Sequence, residues 1–242
     1  MLSRFILAIG LLAGTIIGAG IFSLPYVANE TGLLAGKVFL ITFTAVYCIV
    51  HLMYAELLVE NPGRHEFGYL AERYLRRPFG LLAALAILFE LLFVLTIYLV
   101  LTPSFAARII PGSGSAALAV FWVLGSLFAF AKLEWLGWAE FMGIVGVVAI
   151  VLVVVAAGGA RPLTTPLMKP LSLATFLLPF GPLLFSLSGR PAISKVVEEH
   201  RKASAAGTPF SLRGAVAGGT IIPAVIYAAF VFGILRLPGE VS

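Results

Sequence analysis

The chain has 242 residues, 61% of them hydrophobic and 11% charged, with a formal net charge of +5. Soluble domains are nearer ~45–50% apolar and ~25% charged, so the composition excludes an ordinary soluble globular protein and describes a polytopic protein of the lipid bilayer. All eleven acids are glutamates, and the single Cys48 excludes an intrachain disulfide framework.

A helix needs about 20 mainly apolar residues to cross a membrane. Seven stretches qualify in chain order: 5–28, 34–59, 79–107, 115–131, 138–158, 173–197 and 212–235. Each is expected to be helical, because backbone groups in lipid must bond within their own segment and none of these stretches alternates with the period of two of a barrel strand.

The first stretch is longer than the ~7–15 residues of a secretory signal core, which favours a retained span. Within it, GTIIGAGIFSLP (14–25) places Gly18, Ala19 and Gly20 near the middle, followed by Pro25. Glycine costs about 1 kcal/mol in a helix interior relative to alanine, so this position favours local unwinding. Freed backbone groups at membrane depth are tolerated only where they line a cavity or meet other protein. Two readings follow. In one, the freed groups form a binding site, and the half-helix starting near Ile21 points its positive end at an anion such as a carboxylate. In the other, Gly14 and Gly18 form a GxxxG contact for close helix packing.

The second span carries His51 near its middle. It is expected to be a buried histidine bonded to a backbone carbonyl, although helical spacing also makes Glu56 a possible neighbour. Glu56 and Glu60 lie towards the cytoplasmic surface. The third span is long enough to tilt and holds Glu90 about twelve residues in. A carboxyl at that depth costs on the order of 2.5–3.5 kcal/mol on insertion scales and is by default a functional candidate. Three roles stay open for Glu90: proton coupling, a structural pair with Arg190, and a hydrated cavity position. Trp122 in the fourth span is read as packing. Trp135 and Trp138 fall at the cytoplasmic interface, where tryptophan is enriched, and Glu140 is read as hydrated there. The segment 158–170 is an external loop.

The sixth span reads FLLPFGPLLFSLSGRPAI over 176–193. It too is interrupted by small residues, Ser186, Ser188 and Gly189, with Pro191 just beyond and Pro179 and Pro182 before. The first span runs outward and the sixth inward, so two broken helices oppose each other. That pattern marks an inverted-repeat transporter with its site at the midplane.

The basic residues assign the sides. Arg4, Arg64, Arg73, Arg76, Arg77, Lys132, Lys195, Arg201, Lys202 and Arg213 make ten on one side, against Lys37, Arg108, Arg161, Lys169 and Arg236, which make five on the other. The bias places the N-terminus in the cytoplasm, with the cell membrane as the expected location.

Gly14-Thr15-Ile16-Ile17-Gly18-Ala19-Gly20-Ile21-Phe22 with Leu24-Pro25 resembles the first-helix motif of permeases of the amino acid–polyamine–organocation superfamily. It is nearest the branch of aromatic amino-acid and amino acid/auxin permeases. Phe185-Ser186-Leu187-Ser188-Gly189-Arg190-Pro191-Ala192-Ile193 is similar to the sixth helix of that branch, and Ala55-Glu56 and Gly68-Tyr69-Leu70 also fit. The resemblance implies an all-α membrane protein of a five-plus-five inverted-repeat (LeuT-type) fold with helices 1 and 6 discontinuous. It makes 1–242 a single transmembrane domain, with the first repeat over 5–158 and the first two helices of the second over 173–242. It also implies substrate carboxylate binding at Thr15, Ile16, Gly18, Ala19 and Gly20. The amino group would then be held by carbonyls of the broken helices, with Phe185, Ser186, Ser188 and Gly189 the matching positions on the sixth. Ten or more spans are usual in such permeases, so the expectation is that three helices are missing or supplied by a partner chain.

No Walker motif, metal-binding spacing, nucleophile elbow or nucleic-acid-binding face occurs in the sequence. No cofactor or nucleic-acid partner is expected, and an intramembrane enzyme has no catalytic constellation to rest on. The function expected is secondary active transport of a small-molecule amino acid by alternating access, driven by H+ or Na+. The alternative is a non-transporting remnant or an assembly partner of a complete permease.

Overall fold

A computed structural model describes residues 2–63, 67–128, 130, 133–159, 161–163, 165–170 and 172–237, without the side chains of Ser3, Phe128 and residues 133–141. Arg64 and Lys132, which enter the charge bias, and the side chains of Trp135, Trp138 and Glu140 therefore lie outside the described set. The described residues are all helix, turn or loop, and they fall into two compact units, 1–60 with 141–242, and 61–140.

In the first unit, α1 (Leu2–Ile16) ends where Gly18 adopts an extended conformation. A short 3₁₀ turn (Ala19–Ser23) then leads into α2 (Leu24–Thr31), which has Pro25 in its first turn. Proline is tolerated there because its missing N–H has no helical partner in any case. The two arms, Arg4–Ile16 and Ala19–Thr31, bend by 52°. Gly32 (φ 82°) turns the chain into α3 (Leu33–Glu60). The amides of Leu33 and Leu34 donate to the carbonyls of Pro166 and Leu167, so the 165–167 loop caps the start of α3. At its far end, Arg201 Nη2 donates to the carbonyl of Leu58 at 2.6 Å.

The second unit holds α4 (Phe67–Tyr74), α5 (Arg77–Ile109) and α6 (Gly114–Phe128). The helix α4 lies in the basic linker, where no element was expected. Its Leu70 is 2% exposed, and it folds back on the start of α5, with Gly80 close against Glu72. Tyr98 stacks on Phe121 across the α5–α6 hairpin. Trp122 is 65% exposed, so it faces outward and does not pack as expected. The helix α7 (Leu133–Gly158) follows; its residues from Phe141 onward belong to the first unit, where Val151 is buried.

The sixth stretch forms α8 (Leu173–Leu177), α9 (Phe180–Ser186) and α10 (Arg190–Ala205), and the chain continues in α11 (Leu212–Ile234). Residues 178–179 and 187–189 interrupt the helix, yet Leu173–Ala205 runs as one span without a bend as sharp as that of the first. Pro191 opens α10 as Pro25 opens α2.

The core of the first unit lies where α1, α3, α10 and α11 meet. Leu12, Leu58, Ile193, Val196, Val216 and Tyr227 are there with at most 1% exposure. Among the described residues, four helices are long and apolar enough to cross a membrane: Leu33–Glu60, Arg77–Ile109, Leu173–Ala205 and Leu212–Ile234. The bent pair in the first stretch makes a fifth, and Gly114–Leu127 and Met142–Gly158 are shorter apolar helices.

Candidate functional site

The two interruptions are brought together in the first unit. A methyl group on Gly20 would stand 2.6 Å from both Cα and Cβ of Ser186, and one on Gly189 would stand 2.6 Å from Ile16 Cγ1 and 2.8 Å from Leu12 Cδ1. At Gly20 the neighbour is backbone, so only glycine permits the approach there. Ile16, Ala19, Gly20, Ser186 and Gly189 are buried, whereas Thr15, Gly18, Phe185 and Ser188 are half-buried. Gly14, by contrast, packs against the side chain of Ile144 on α7. Gly14 thus makes a close helix contact, while Gly18, the other half of the GxxxG pair, lies at the opened backbone.

The freed backbone groups find specific partners. An unbroken helix would give the carbonyls of Ile16, Leu184 and Ser186 to amides four residues on. At the second break the Ser188 amide bonds to Phe185 instead of Leu184, and at the first the Ile21 amide bonds back to Gly18 instead of Ile17. Two tyrosines reach carbonyls at the breaks. Tyr227 of α11, fully buried, directs its hydroxyl to the Ile16 carbonyl at 2.6 Å and to the Ser186 carbonyl at 3.0 Å. Tyr47 of α3 donates to the Leu184 carbonyl at 2.5 Å. Ser23 Oγ donates to the Gly20 carbonyl at 2.8 Å, and Thr15 Oγ1 to Leu11 at 3.0 Å. Freed carbonyls in an apolar interior are costly unless bonded, which is why donors crowd the breaks.

His51 is 2% exposed, and its Nδ1 lies 2.9 Å from Oγ1 of Thr220 on α11. The expected backbone carbonyl is replaced by a side-chain hydroxyl. The Thr220 hydroxyl also lies 2.9 Å from the Val216 carbonyl of its own helix, to which it can donate. Nε2 is buried and has no hydrogen-bond partner among the described residues. Glu56 lies away from this arrangement, exposed and ion-paired with Arg213 at 2.8 Å.

A cavity of about 490 Å³ adjoins the breaks, lined by Leu24, Val27, Ala28, Leu33, Gly36, Leu40, Leu183, Val225, Ala228, Ala229, Val231 and Phe232, with the exposed Lys37. Leu24 follows the first break and Leu183 lies one turn before Ser186. None of the nine substrate-site residues expected from sequence lines it. Glu90 is half-buried on α5, in the second unit. No group of three or more metal-ligating side chains occurs among the described residues.

Tyr47, Thr220 and Tyr227 were not singled out from sequence. The available signal was polar spacing within apolar spans: Tyr47 lies one helical turn before His51, and Thr220 and Tyr227 are two turns apart on one face.

Several long apolar helices, one of them bent at a glycine break, define a multi-pass α-helical membrane protein. The family model described as transmembrane amino acid transporter protein matches residues 3–233, and the chain belongs to this family. It is a family of transporters, not enzymes, and its activity is amino acid transport across a membrane. No curated protein and no solved structure matches the chain.

Proposed function

We propose that the chain is a secondary carrier of neutral amino acids that works by alternating access, within a LeuT-type inverted-repeat arrangement. The substrate is held where the first and sixth spans break, at Thr15, Ile16, Gly18, Ala19, Gly20, Phe185, Ser186, Ser188 and Gly189. One observation carries this reading: carbonyls from both broken helices, Ile16 and Ser186, converge within 3.0 Å of a single oxygen atom. Helix-end carbonyls carry partial negative charge, so that point suits an ammonium group. The carboxylate faces the amides that open the second half of the first span. The adjoining apolar cavity falls within the ~300–1,000 Å³ range of small-molecule sites and receives an apolar side chain. Because Gly20 and Ser186 touch, loading requires the two breaks to part.

The chain resides in the cell membrane with its N-terminus in the cytoplasm, and a proton or sodium gradient drives uptake. The test is accumulation of labelled neutral amino acids in proteoliposomes under an imposed pH step or sodium gradient. Accumulation under one gradient is expected; none under either counts against the carrier. If the proton drives transport, Glu90→Gln abolishes the response to the pH step while leaving amino acid exchange intact. Retained proton-driven uptake removes Glu90 from the mechanism.

A further inference from the structure

We infer that the Tyr227 hydroxyl is a stand-in for the substrate's ammonium group: it bonds the carbonyls of Ile16 and Ser186 and yields them when an amino acid binds. This deepens the amino-acid site proposed above and rests on it. A phenol has a single proton to share between two acceptors. Here those acceptors belong to the two interrupted helices, at 2.6 and 3.0 Å, and the ring is fully buried. An ammonium group brings three N–H donors and a full charge, and charge-assisted bonds are roughly twice as strong as neutral ones. The exchange therefore runs towards the ammonium group when an amino acid arrives.

Two consequences follow. First, the tyrosine keeps these carbonyls bonded in an apolar interior, so the breaks need no substrate to persist. Second, occupancy is transmitted to α11. The same helix face carries Thr220, which is tied to His51 of α3, so releasing Tyr227 loosens α11 from the broken helices while its tie to α3 remains. Binding is thereby linked to relative movement of these elements. A ligand without an ammonium group cannot make the exchange.

The test compares thermal unfolding of the purified chain and its Tyr227→Phe variant, alone and with saturating L-leucine, L-phenylalanine or L-alanine, and with the matching deamino acids. Tyr227→Phe alone should unfold at a lower temperature. The rise produced by the effective amino acid should be larger in the variant than in the wild type, because ammonium then fills carbonyls that nothing else satisfies. Deamino acids should raise neither. Equal amino-acid-induced rises in the two proteins overturn the stand-in role and leave the substrate site standing. No rise in the wild type with any of the amino acids overturns both. Should Tyr227→Phe fail to fold, 3-fluorotyrosine at position 227 keeps the shape and makes a stronger donor. Amino acid Kd should then rise several-fold, and an unchanged Kd overturns the inference.

Discussion

At Gly20 a single hydrogen atom decides whether two helices can meet. A methyl group there strikes the Cα of Ser186, which is backbone and cannot rotate away, whereas at Gly189 it strikes the ends of the Ile16 and Leu12 side chains, which can. At Gly10 it meets nothing within 4 Å. The expected order of destabilisation is therefore Gly20→Ala, then Gly189→Ala, then Gly10→Ala. The first should cost about 1–3 kcal/mol, as overpacking generally does, and the last should stay within ~1 kcal/mol of wild type. Thermal unfolding in detergent reads the order directly, and equal melting temperatures for Gly20→Ala and Gly10→Ala would show that the breaks do not touch. His51→Ala removes a buried ring and its bond to Thr220, for an expected loss of about 2–4 kcal/mol in the same assay.

The element that best separates strong from weak contacts is α3. Its last turn is held by Arg201, which reaches the Leu58 carbonyl, and by the Glu56–Arg213 pair, whose side chains are 50% and 80% exposed. Solvated pairs contribute ~0–1 kcal/mol, while a charged donor on a helix-end carbonyl contributes roughly 1.5–3 kcal/mol. Arg201→Ala should accordingly speed amide exchange in the last turn of α3 markedly, and Glu56→Gln should leave it almost unchanged. The reverse order in hydrogen–deuterium exchange would refute the assignment.

Breaks in α-helices have local causes, and that made them legible. Gly18, Gly20, Ser186 and Gly189 weaken helix formation through their own chemistry, and Pro25 and Pro191 restart it, so the positions were readable from residues alone. The partners of the freed carbonyls were not. Tyr227 lies 211 residues from Ile16, and Tyr47 lies 137 from Leu184, and nothing in a tyrosine marks which distant backbone it will reach. The straighter course of the sixth span was hidden for the same reason, since neighbouring helices set the bend. The linker helix α4 was missed because its charged residues mask the one buried position, Leu70, that docks it.

Across the whole molecule, the family assignment and the long apolar helices make amino acid transport through a membrane the frame in which these contacts act. The central claim is that the meeting point of the two breaks is where the amino acid binds. Saturation binding of tritiated neutral amino acids to the purified wild-type chain and to its Gly20→Ala and Gly10→Ala variants tests it most directly. The account predicts saturable binding that Gly10→Ala preserves and Gly20→Ala weakens by about tenfold or more, a loss of ~1.4 kcal/mol at least. Wild-type affinity in a Gly20→Ala protein whose circular dichroism shows it folded would contradict it.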